Sequence, residues 1–202
     1  MLRTLSGSIC AGLLIAVGGS VFLACDNRYI GAVLFSVALL GICYMDYYLF
    51  TGKIGYLADD HSKRNAAMLA LGLAGNLASA YAFGALIRYA LPALGDAAEL
   101  TVSAKLEQSL LQTFIRAAFC GVLMYLAVQI FRKKSTPIGI LFCIPVFILS
   151  GFEHSIADMF YFGASGLGDV RALGFFTTAV LGNSVGSLIL PLAGRIGGKN
   201  ET

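Results

Sequence analysis

Glu153 and His154 stand side by side in a strongly apolar stretch, Gly151-Phe152-Glu153-His154-Ser155-Ile156. An ionisable pair at bilayer depth is costly, and it marks a functional site by default. An imidazole ordinarily titrates near ~6.5, so it can accept, donate or relay a proton around neutral pH. The chemistry that suits such a residue is the handling of protons, ions or both. The only other histidine, His61, sits in a polar loop. The plainer reading is a buried ring satisfied by a backbone carbonyl. Redox and metal chemistry find no support: Cys10, Cys25, Cys43, Cys120 and Cys143 show no CxxC or metal-ligand spacing. They read as small apolar residues, and neither cofactor nor metal is expected.

The elements that position this pair are membrane spans. The chain has 202 residues, 58% hydrophobic and 12% charged, with a mean hydropathy of +0.81. Average soluble domains carry about 25% charged residues, so an integral membrane protein is the fitting class. The net charge of +3 is small and scattered, which gives no reason to expect nucleic acid. Six apolar stretches, at about 5–25, 29–50, 66–91, 109–131, 137–162 and 170–193, can each cross a hydrocarbon core about 30 Å thick. The first carries no persuasive cleavage site after Met1-Leu2-Arg3, so it reads as a span and not as a leader. Connections are short, and the longest polar one runs over about 92–108. The expectation is one all-α channel domain over 1–202, in contact with the lipid bilayer.

Basic residues set the orientation. Arg3, Lys53, Lys63, Arg64, Arg132, Lys133, Lys134, Arg195 and Lys199 fall on the side of the N-terminus. Arg28, Arg88, Lys105 and Arg171 fall on the other, and Arg116 lies within the fourth stretch. Nine against four places both termini in the cytoplasm, with the inner membrane as the expected location.

The two halves, about 1–91 and 105–194, are related. Leu49-Phe50-Thr51-Gly52 interrupts the second stretch and Phe152-Glu153-His154-Ser155 the fifth. Each is followed by a span with a Gly-Asn pair, Gly75-Asn76 and Gly182-Asn183. Three spans per half require opposite insertion, and matching interruptions in an inverted repeat point to a midplane site. Close helix packing by small residues would account for a single Gly-Asn pair. Two at matching positions favour a shared architecture, with Glu153, Ser155, Asn76 and Asn183 supporting the interruptions.

These residues resemble the formate/nitrite transporter family of monovalent-anion channels. Leu49-Phe50-Thr51-Gly52 is similar to that family's loop in the broken second helix. Gly151 to Ala157, followed by Met159-Phe160, is similar to its most specific motif, in the fifth. Phe114-Ile115-Arg116 with Cys120 resembles its fourth helix, and Leu181-Gly182-Asn183 with Gly186 its sixth. The resemblance implies an aquaporin-like 3+3 inverted repeat of six helices, with the second and fifth broken, assembled as a homopentamer. It implies that His154 is the central pore histidine, Thr51 its hydroxyl partner and Lys105 the outer lysine. Counting from Thr51 and His154, the constrictions fall to Phe35, Leu39, Leu49, Phe50 and Phe147. The sequence departs from the family at Tyr48, Lys53, Gly121 and Asp158. The segment that precedes the first span in the family is expected to be nearly absent.

A small anion entering an apolar constriction loses water at high cost. Positive potential from Lys105 and from half-helix N-termini offsets part of it. A donor from Thr51 and a proton from His154 would let the species cross as its neutral acid. Glu153 is expected to turn from the lumen and accept backbone N–H groups of the interrupted segment. Asp158, one turn beyond His154, is expected to face the next span or to orient the imidazole, and pairing with Tyr48 is the alternative. The expected function is therefore a pH-sensitive channel for formate, nitrite or hydrosulfide, with protons as the second partner. An aquaporin-like neutral-solute channel is the alternative, though no Asn-Pro-Ala pair is present. An intramembrane enzyme fits worse, since only Ser155 has an evident base beside it.

Overall fold

A computed structural model describes residues 1–198; Lys199, counted above for orientation, lies outside them. The helices are α1 (Leu2–Ala24), α2 (Arg28–Tyr44), α3 (Phe50–Lys53), α4 (Lys63–Ala90), α5 (Pro92–Leu106), α6 (Leu110–Lys134), α7 (Ile138–Leu149), α8 (Ser155–Ser165) and α9 (Arg171–Gly198). A 3-10 turn, Ile54–Ala58, continues α3, and no strand occurs among the described residues.

Four helices, α1, α4, α6 and α9, are long and apolar enough to cross a membrane. They are apolar nearly all round, and their outer faces stay exposed, as with Ile9, Leu13 and Val17 on α1 or Val185 and Ile189 on α9. The other two apolar stretches are divided. Helix α2 spans 17 residues and α7 spans 12, both short of the ~20 that a crossing needs.

The two divisions are built alike. In α7, Phe152 N–H donates to Phe147 O at 3.0 Å and Gly151 N–H to Ile148 O at 3.1 Å, with Gly151 at φ +69. This is a Schellman cap, which stops a helix by turning one residue left-handed. In α2, Tyr47 N–H donates to Ile42 O and Asp46 N–H to Cys43 O, with Asp46 at φ +51. Asp46 adopts the left-handed turn that Gly151 makes at lower cost. Each chain then runs extended for a few residues and starts a new helix, at Phe50 and at Ser155.

Packing repeats the correspondence. Helix α1 packs on α2 and α4, as α6 packs on α7 and α9. Small residues permit the approach: a Cβ added at Gly186 of α9 would overlap the Ala118 carbonyl oxygen of α6. Helices α2 and α7 meet at the centre, and α8 lies against α4.

The segment 92–108, expected as a polar connection, is largely helix α5. Its charges Asp96, Glu99 and Lys105 hide a buried stripe of Gly95, Ala98, Val102 and Leu106, spaced by three or four residues. Pro92 opens the helix, where its missing N–H costs nothing. The stripe packs on α8 and so carries Lys105 to the fifth apolar stretch.

Candidate functional site

His154 is the N-cap of α8. Its backbone is extended (φ −111, ψ 104), and its Nδ1 accepts the Ala157 N–H at 3.1 Å. Its Nε2 lies 2.8 Å from Thr51 Oγ1, and both residues are buried. Because Nδ1 is an acceptor, the hydrogen of the neutral ring sits on Nε2 and is donated to Thr51 Oγ1. That leaves the Thr51 hydroxyl hydrogen to be donated elsewhere. A histidine serves here because one ring must accept from a helix and donate to a hydroxyl. Phe147 stacks on the imidazole with centroids 5.7 Å apart. Phe35 meets Phe147 edge-on at 6.2 Å.

Two asparagines hold the starts of α3 and α8 in the same way. Asn76 Oδ1 accepts the Phe50 N–H at 2.8 Å, and its Nδ2 donates to Tyr48 O and Ser8 O, each at 2.9 Å. Asn183 Oδ1 accepts the Ser155 N–H at 2.9 Å, and its Nδ2 donates to Glu153 O at 2.8 Å and Ala117 O at 2.9 Å. Each amide thus joins a long helix, the extended residues and the new helix, and places Thr51 opposite His154.

Glu153 turns away from His154, but its partners differ from those expected. Its carboxylate receives the Lys105 ammonium and, at 2.7 Å, Gln108 Nε2, not backbone N–H groups. Lys105 Nζ also lies 2.9 Å from Asp158 Oδ1. Asp158 therefore neither orients the imidazole nor pairs with Tyr48, which lies on the opposite side beneath Lys53 Nζ, 5.3 Å from its ring. All three charged groups are nearly buried, and Asp158 Oδ2 has no partner. Lys105 is thus a shared counter-ion for two carboxylates, not the free cation its family position suggested.

Two funnels approach this centre from opposite ends of the bundle. One, of about 330 Å³, opens between Asp46, Lys53 and Arg132, and Leu39 and Leu49 lie on its wall. The other, of about 290 Å³, opens by Arg28 and Arg116 and reaches Lys105, Phe35, Phe147 and His154. Phe50 lines neither, because its ring packs with Ile54 and Leu69. Ser155 Oγ is buried without a partner, so that residue contributes its amide alone. Sequence reasoning passed over Gln108 and Arg28. Gln108 lies three residues from Lys105 and gave a usable signal; Arg28 had none beyond its charge. Among the described residues no cluster of metal-binding side chains occurs.

The profile of the formate/nitrite transporter family matches residues 1–194. The chain belongs to the formate/nitrite transporter family. It is accordingly a membrane transport protein and not an enzyme. No curated protein matches it in sequence. Among solved structures it is similar to an FNT family ion channel, with TM-score 0.78 and 21% identity over 94% of this chain and 85% of that one. It is also similar to a pentameric formate channel with formate bound, with TM-score 0.75 and 22% identity over 94% and 93% of the two chains. The Gly-Asn pairs and the Glu-His pair that drew attention in the sequence are thus parts of a transporter fold of this family.

Proposed function

We propose that the protein is a pH-sensitive channel for the anion of a small weak acid, namely formate, nitrite or hydrosulfide. The reading takes the two divided stretches as broken spans, so that six crossings form a 3+3 inverted repeat. Each protomer of a homopentamer then holds its own pore, in the inner membrane with both termini cytoplasmic. The observation that carries it is the Thr51–His154 hydrogen bond at 2.8 Å, in the apolar layer between two funnels. Convergence of Arg3 and Lys53 on Asp46, and of Arg195 on Asp59, at the N-terminal end supports the orientation. The formate bound in the similar pentameric channel supports the substrate class and the assembly.

The resting imidazole is neutral and carries its hydrogen on Nε2. An anion at the constriction meets the Thr51 hydroxyl, while Phe35, Phe147, Leu39 and Leu49 strip its water. The amides of Ser155 and Ala157 are committed to Asn183 and to the ring, so α8 acts on the anion through its dipole and not through these two donors. Proton transfer starts when Nδ1 releases the Ala157 N–H and takes a proton. The Thr51 hydroxyl hydrogen then passes to the anion as Nε2–H passes to Oγ1. The anion leaves as its neutral acid, and the ring is neutral with its hydrogen on Nδ1. Lys105 keeps Glu153 and Asp158 compensated beside this path. The test is uptake into proteoliposomes: formate, nitrite and hydrosulfide should enter and glycerol should not. Glycerol uptake without any of the anions would overturn the reading.

A further inference from the structure

The funnel on the α5 side has a charge pattern that the constriction does not explain. Three cations, Arg28, Lys105 and Arg116, face two carboxylates, Glu153 and Asp158. Lys105 is committed to both carboxylates. The other acids with an ion pair toward this end hold other cations, Glu99 with Arg88 and both Asp169 and Glu107 with Arg171. Arg116 has no ion pair or side-chain hydrogen bond among the described residues, although it is half-buried. Arg28 donates only to the Ile148 and Leu149 carbonyls, both at 3.4 Å, and remains exposed.

A guanidinium left unpaired on the wall of a membrane protein is costly unless water or an anion meets it. Its fixed fork of donors matches a planar carboxylate or nitrite better than an ammonium does. Arg28 opens α2 and Arg116 lies near the start of α6, so different elements bring the two to one funnel. Rigid helices hold both, and the path beyond them leads to Phe35, Phe147 and His154.

We infer that Arg28 and Arg116 form a recruiting subsite for small planar anions, outside the constriction, and that this pair supplies the positive field there instead of Lys105. The inference rests on the anion-channel reading above. A funnel with low-dielectric walls concentrates ions of opposite charge, and salt abolishes the effect.

The experiment measures initial formate uptake against formate concentration in proteoliposomes near neutral pH, at about 0.01 M and about 0.5 M ionic strength. Arg28→Gln and Arg116→Gln should each raise the half-saturating concentration about three- to tenfold at low salt and leave it unchanged at high salt. Arg28→Lys and Arg116→Lys, which keep the charge, should fall between these and wild type. Elution volume and melting temperature of the detergent-solubilised variants should match wild type. Wild-type uptake with an unchanged concentration dependence in both glutamine variants would overturn the subsite and spare the function. A shift equal at both ionic strengths would also overturn it, because a structural change is not screened. Wild-type vesicles that take up none of the three anions would overturn the functional reading and the subsite with it.

Discussion

Lys105 and Asp158 show where residue identity misleads without geometry. The resemblance marks Lys105 as the outer lysine, and the simplest physics assigns it to attracting anions. The fold gives that ammonium two buried carboxylates, so its role is compensation. Removing one partner of a buried ionic cluster strands the others and typically costs about 3–5 kcal/mol. Lys105→Ala should therefore lower the melting temperature in detergent and reduce formate uptake to a similar degree at low and high salt. A salt-dependent loss with an unchanged melting temperature would make Lys105 the free cation after all. Asp158→Asn works in the opposite direction: it keeps an acceptor for Lys105, removes one negative charge from the funnel and raises its net positive field. Uptake at subsaturating formate should rise at low salt, and a fall would contradict this assignment. The Thr51–His154 pair could be located in sequence only through resemblance, since 103 residues separate its members.

Among the elements, the interruptions were legible because turn-forming and polar residues broke two long apolar runs. Their mechanics were not. No sequence pattern announces that Asp46 would take the left-handed turn made by Gly151 in the other half, because tertiary contacts override that preference. The Gly-Asn pairs stood out for their matching positions, and the close approach of α6 and α9 agrees with the packing reading of their glycines. Their amides do something else, each tying three segments with three hydrogen bonds. Net values near 1 kcal/mol per bond suggest a loss of about 2–4 kcal/mol for Asn76→Ala and for Asn183→Ala alike. Thermal unfolding of both variants would check this, and a neutral outcome for either would show that its helix start is held by packing alone. Helix α5 went unread because its buried face includes small residues, whose period is weak beside the three charges Asp96, Glu99 and Lys105.

At the scale of the whole molecule, α1, α2, α6 and α9 carry exposed apolar faces, which the proposed pentamer in a bilayer would cover. Native mass spectrometry in mild detergent should return five chains, and a stable monomer or dimer in several detergents would count against the assembly. The membrane class and the all-helical fold were readable from hydropathy and one costly pair of residues. The compensation of Lys105 was not, because it depends on α5 and α8 lying together. The central claim is that His154 couples passage of the anion to protonation, and its N-cap role offers a clean substitution. Asparagine caps a helix as well as any residue does, yet it cannot titrate. The most direct measurement is uptake of formate, nitrite and hydrosulfide by wild-type and His154→Asn proteoliposomes between about pH 5 and 8. The variant should fold, assemble and still pass anions, with a flattened pH profile for all three. A variant that keeps the wild-type profile for every anion would reduce His154 to a helix cap and contradict the mechanism.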